Sequence, residues 1–306
     1  MLSFVSRLNL EWSGAVSIST ILVGASGGSS SNGAIDLACR IALRFGSHFE
    51  GFHVKADPRD LVPFSDGGIS MAASGDFFDK FVADVDSLAA KTRTSFQSAV
   101  ERHGVAWEPE PPSAPTPKAA ASAAWREEKG NGPALLARRA RFFDLVVLGR
   151  SDRVVDQPHS DAVEQTLLHS GRSVILAPAE AQPEFGASIV IGWNGSPEAV
   201  RAMTAALPFL AHARQAVVVT IGDKHVESAG SALEYLGWRG INAKRRHVST
   251  LAGVSPGEHL LASARDVGAD LLVMGAYGRT PWRETLFGGA THDVAKASLL
   301  SLLLSH

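Results

Sequence analysis

Short runs of consecutive apolar residues, each closed by a glycine or turn residue, alternate in this chain with longer stretches whose apolar positions recur every three or four residues. The short runs fit strands buried on both faces and the long ones amphipathic helices, so the alternation predicts parallel sheets sandwiched between helices. The pattern is written twice. STILVGASGGS, with Gly27, is echoed by ASIVIGWNGSP, with Gly195; FDLVVLGRS, with Asp144, is echoed by ADLLVMGAY, with Asp270. Order is kept in both halves. A repeat of this size predicts two tandem doubly wound α/β domains, residues 1–180 and 186–306, joined by a linker that contains Pro183.

In the second half the pattern predicts strands at 188–193, 216–221, 243–248 and 271–274, and a closing strand at 299–304. Helices are expected over 197–211 behind Ser196, over 226–236, and from Ser255 and Pro256 to a stop before Gly268. The first half is longer between its anchors. The excess is assigned to the loop KADPRDLVPFSDGGISMAASGD, to an extended helix over about 76–103, and to a proline-rich insert near 109–121, which should be extended. Its third strand is expected at 122–128, with 105–107 the weaker candidate.

The 306 residues are 45% hydrophobic and 20% charged, the balance of a globular protein long enough for two cores. A formal net charge of -2 gives no electrostatic footprint for nucleic acid, and the run Lys244, Arg245, Arg246 reads as a solvated strand end. No apolar run reaches the about 20 residues of a membrane-spanning helix, and Arg7 and Glu11 break any signal-peptide core. The single cysteine, Cys39, implies a reducing, cytoplasmic setting and sits among Ala38, Ile41 and Ala42 as an inert thiol. The 11 histidines show no spacing that would gather a metal site on one element.

Candidate chemistry concentrates near the C-terminus. DLLVMGAYGRTPWRETLFGGATHDV sets a buried strand before Gly275, Gly278, Gly288 and Gly289 and a helical pattern after them. Such glycines let the backbone approach an anion, with the N–H groups of Gly289, Ala290 and Thr291 aimed at it from a helix start. Arg279 and Arg283 add charge. The same glycines would also serve a ligand-free strand-to-helix turn.

The spacing of Gly275, Gly278 and Gly288 resembles the nucleotide-binding signature of the universal stress protein family. Over the whole chain the resemblance is to a tandem member of that family. It implies a five-stranded parallel sheet in each half, of the adenine nucleotide alpha hydrolase-like type, with an adenine nucleotide above the C-terminal strand ends. The family's small hydroxyl residue after the last glycine is replaced by Gly289, leaving Thr291 as the substitute. Its acidic residue at the end of strand one is replaced by Asn194 in the second half and Ser26 in the first. Asn194 has the chemistry to meet a ribose or base, and equally that of a turn residue before Gly195.

The first half departs further. GRSDRVVDQPHSDAVEQ keeps Gly149 but not the later glycines, and Asp152, Asp156 and Asp161 would oppose a phosphate. A degenerate, structural first domain is expected. Its Gly24 to Gly28 stretch matches a G-x-S-x-G elbow but lies too near the start for an α/β-hydrolase. SGGSSS lacks the aspartate of a pyrophosphatase loop at Ser30 and reads as a turn capping the first helix.

Two functions remain in view. The first is a stress-response protein, not an enzyme, that binds ATP or a related adenine nucleotide, with or without magnesium, through Asn194, Gly275, Gly278, Arg279, Gly288, Gly289, Ala290 and Thr291. The second is an interaction or scaffold protein with a retired site, in which, as the family resemblance implies, 174–177 and 299–304 lie near a pairing surface, as a homodimer or as a pseudo-dimer of the tandem halves.

Overall fold

The computed structural model of the protein describes residues 17–57, 75–111, 120–150, 157–180, 182–276 and 300–306. The first half contains β1 (Thr20–Gly24), α1 (Ser29–Phe45), β2 (His48–Lys55), α2 (Gly75–Arg102), β3 (Ala106–Trp107), β4 (Ser122–Lys129), α3 (Gly132–Ala140), β5 (Leu145–Gly149), α4 (Gln157–His169) and β6 (Ser173–Ala177). The second contains β7 (Ser188–Gly192), α5 (Pro197–Ala205), α6 (Leu207–Leu210), β8 (Gln215–Ile221), α7 (Val226–Gly237), β9 (Ala243–Val248), α8 (Pro256–Val267), β10 (Leu271–Gly275) and β11 (Ser301–Ser305). Among the described residues no helix is long and apolar enough to cross a membrane.

Apolar residues along each strand alternate between two layers. In β1, Ile21 and Val23 join the core under α1, α2, α5, α6 and α7. Leu22 joins the core under α3, α4 and α8. Both cores contain residues of both halves, because the described strands form one 11-stranded sheet in the order β3, β4, β2, β1, β5, β6, β11, β10, β7, β8, β9. All neighbours are parallel except β6 and β11, which run antiparallel with Leu302 opposite Leu176, Leu303 opposite Ile175 and Leu304 opposite Val174. The two final strands named as near a pairing surface therefore pair with each other within one chain.

The five-stranded expectation gains one strand in the first half. Residues 106–107 pair with 122–123 as a sixth, edge strand beside the expected β4. The helix expected over 197–211 breaks at Ala206 into α5 and α6, since Pro208 has no N–H to continue the ladder and its ring crowds the carbonyl four residues back. α8 obeys its signals closely. Ser255 and Glu258 form a reciprocal capping box and Gly268 closes the helix in the left-handed conformation.

The echoed aspartates hold strand starts. Asp144 Oδ2 accepts the N–H groups of Ser19 and Thr20 at 2.9 and 3.0 Å. Asp270 accepts those of Ala187 and Ser188 at 3.0 and 3.1 Å. Each sits just before the fourth core strand of its half and clips the beginning of the first, at the sheet edge opposite the carboxyl strand ends. The linker is tied down in a similar way, with Arg40 donating to the carbonyls of Gln182 and Pro183 and Arg44 to that of Phe185. Phe209 meets Phe45 and Phe185 edge-on, with ring centroids 5.5 and 5.3 Å away.

Candidate functional site

In each half the strand order reverses between the first and fourth core strands, β1 and β5 or β7 and β10. Crevices that hold ligands in open α/β sheets lie outside the carboxyl ends at such a point. The two crevice loops leave their strands in the same register: the N–H of Ala25 reaches the carbonyl of Phe52, and that of Trp193 the carbonyl of Val219, both at 2.9 Å. Ser26 and Asn194 consequently occupy matching positions, followed by Gly27 and Gly195 in the left-handed region, with φ 87° and 69°.

In the second half Asn194 and Gly195 are exposed. Asn194 Oδ1 accepts the N–H of Ser196 at 3.1 Å, which realises the turn reading and leaves the amide N–H groups and the second lone pair of Oδ1 to meet a ligand. Ser196 caps α5 by accepting the N–H of Ala199. Trp193 is buried, yet its Nε1 donates to Ser228 Oγ at 3.1 Å. Ser228 in turn donates to the carbonyl of His225. A Cβ on Gly195 would stand 3.2 Å from His225 Nδ1 and 3.3 Å from Ser228 Oγ, so the start of α7 borders the crevice with polar groups. His247 Nε2 lies 3.2 Å from Asp223 Oδ1 on the same carboxyl edge. Glu198, at the start of α5, has its carboxyl held below the ordinary range, first by a hydrogen bond to its own backbone N–H.

Gly275 has a reason of its own to be glycine. A Cβ there would come within 2.7 Å of both Ala199 N and Glu198 Cβ, so the first turn of α5 crosses the end of β10 at backbone distance. Gly149 repeats the arrangement against the carbonyl of Ser30 in α1. The structure thus brings Asn194 and Gly275 to the two strand ends that flank the crevice. Gly278, Arg279, Gly288, Gly289, Ala290 and Thr291 lie outside the described residues, as do Asp152 and Asp156 and most of the proline-rich insert.

The first-half crevice has other surroundings. Ser31 Oγ, with its residue 2% exposed, accepts the N–H groups of Ser26 and Gly27 at 2.9 and 3.0 Å. The glycine-serine run therefore satisfies its own loop and supplies the N-cap of α1, Gly28, which caps through backbone without a side-chain bond. A Cβ on Gly27 would meet Leu88 Cδ1 at 2.8 Å and Thr92 Oγ1 at 3.0 Å, both from α2. His53 Nδ1 donates to the carbonyl of Ala25 at 2.6 Å, which assigns its tautomer, and the ring stacks on Trp125. Beside it Lys55 bridges Asp86 of α2 at 3.0 Å and Glu127 of β4 at 3.2 Å. Its ammonium is stabilised in the charged form, foremost by the hydrogen bond to Asp86. Ser31 lies in the SGGSSS stretch, but no periodicity or motif marked Leu88, Thr92, His225 or Ser228 in advance. The one usable signal was the alignment of Ser26 with Asn194, which directs attention to whatever packs on the next glycine.

Among the described residues no group of three or more His, Cys, Asp or Glu side chains is arranged to hold a metal ion. Compared with known proteins, residues 187–306 match the model of the universal stress protein family. A comparison with curated proteins gave no match. Among solved structures, a universal stress protein from Archaeoglobus fulgidus DSM 4304 is 12% identical and covers 94% of this chain and 97% of its own, with a TM-score of 0.62. A protein of the universal stress protein family from Burkholderia pseudomallei is 24% identical over 40% of this chain and 98% of its own, with a TM-score of 0.28. A universal stress protein in complex with cAMP is 24% identical over 39% of this chain and 96% of its own, with a TM-score of 0.26. The first of these likenesses extends the shared fold across both halves.

Proposed function

We propose, from the premise that residues 187–306 form a universal stress protein domain, that this domain binds an adenine nucleotide as a regulatory ligand in a stress response and that the first domain does not. The observation that carries the reading is the contrast between two matching crevices. Around Gly195 the neighbours are the exposed Asn194 and the polar His225 and Ser228, whereas around Gly27 they are Leu88 and Thr92 of α2. The strand that borders the polar crevice leads straight into the glycine sequence Gly278, Gly288, Gly289, with Arg279, Ala290 and Thr291 beside it, suited to phosphate groups.

Binding without turnover is part of the proposal. Asn194 stands where a carboxylate would, and an amide neither takes up a proton from an attacking group nor offers a metal ion an anionic ligand. A reducing, cytoplasmic setting accords with the single buried thiol of Cys39. Calorimetric titration of the nucleotide-stripped protein with ATP and magnesium tests the reading. It should show one saturable site per chain, lost when Gly278 is replaced by Val. Absence of heat with ATP, ADP and AMP alike would overturn it.

A further inference from the structure

The corresponding second helices of the two halves meet their crevice loops at different points along their length. Gly195 faces His225 and Ser228, at the very start of the 12-residue α7. Gly27 faces Leu88 and Thr92, deep inside the 28-residue α2. The part of α2 ahead of Leu88 therefore runs on past the crevice loop by about 20 Å at 1.5 Å per residue. Part of the length added to the first half is thus helix that overhangs its carboxyl edge.

That overhang is lightly held. From Asp79 to Ser87 the residues of α2 are exposed or half-buried, and Leu88 is 46% exposed even though it touches the Gly27 turn. Among the described residues, a polar tie on this side is Lys55, which joins Asp86 of the helix to Glu127 of β4. Beneath the helix, Ser31 Oγ already takes the two loop N–H groups that an incoming anion would otherwise use. Leu88, Thr92 and Ser31 together fill the space against Gly27.

We infer that the overhanging part of α2 is a built-in lid: with Leu88 it shuts the first-half crevice over the fixed, buried Thr92, and the Lys55 to Asp86 bridge helps hold it down. The inference rests on the reading that the carboxyl edge is the ligand edge, but its test uses no nucleotide, so the two can fail separately. The stretch up to Leu88 is held by an exposed or half-exposed ion pair and one partly exposed leucine, a contact that opens locally, while the buried Thr92 and Phe96 anchor the rest of α2 in the core.

Hydrogen exchange of the full chain, followed by mass spectrometry, reads the lid directly. Leu88→Ala removes the side chain over Gly27 and favours the helix, so exchange over residues 24–31 should rise about tenfold relative to the unaltered protein. Lys55→Met should raise it about two- to fivefold, as the loss of one partly exposed bridge allows. The matching loop, residues 192–199, is the internal control and should not change in either variant. Unaltered exchange over 24–31 in both variants would overturn the lid. So would an equal rise over 192–199, which would signal general destabilisation.

Discussion

A single Cβ decides more at Gly275 than at most positions of this chain, because the first turn of α5 lies where that atom would go, 2.7 Å from Ala199 N. Gly275→Ala should lower the unfolding free energy by about 1–3 kcal/mol through overpacking, seen as a reduced midpoint in urea with an unchanged slope. A stable Gly275→Ala protein would return this glycine to the ligand alone. Cys39 supplies the pH prediction. Burial, and secondarily the charge of Asp36, push its thiol from 9.0 up to about 12. The folded state holds this proton more tightly than the unfolded one, so the stabilising contribution is complete below about pH 9 and fades as pH climbs towards 12. Cys39→Ala should flatten the alkaline side of the stability curve, and the native thiol should resist alkylation until the protein is denatured. Sequence patterning disclosed the apolar setting of Cys39 and the echo between Asp144 and Asp270. It did not disclose that both aspartates clip strand starts, since a charged residue before an apolar run carries no sign of which backbone it will meet 80 or more residues away in the chain.

Elements bounded by local chemistry were the legible ones. Ser255, Pro256 and Gly268 mark both ends of α8, because capping groups act on backbone within one turn of themselves. Ser255→Ala should cost about 1 kcal/mol of stability in thermal or urea melts. Glu258 also makes this cap sensitive to acid. The Ser255 N–H holds its carboxyl below the ordinary 4.5, so the cap's contribution is present above that pH and is lost as pH falls through the lower folded value. The two-residue β3 was the weaker candidate because so short a strand depends on its neighbour β4 and not on its own pattern. β9 illustrates the reverse situation. Its exposed Lys244 and Arg245 charge an outer edge of the sheet, which turns the solvated strand end of the sequence reading into protection against edge pairing. Replacing both with Val should promote self-association, measured by light scattering at rising concentration; a double variant as monodisperse as the original would remove that role.

At the scale of the molecule, the halves share both cores and one sheet, although the sequence presents them as consecutive repeats. Heat or urea should therefore unfold the chain in one transition, with tryptophan fluorescence and far-ultraviolet circular dichroism coincident. Two resolved transitions would show that the β6 and β11 seam does not couple them. The repeat itself was visible in residue order, but its closure was not, because Leu303 opposite Ile175 is a pairing between final strands that no local pattern specifies. That seam has a geometric consequence. Reversing strand direction across it gives the molecule two opposed poles: the Asn194 crevice opens at one, and the α2 overhang stands at the other. The carboxyl edges of the two halves therefore face opposite ways, and groups gathered at one do not crowd the other.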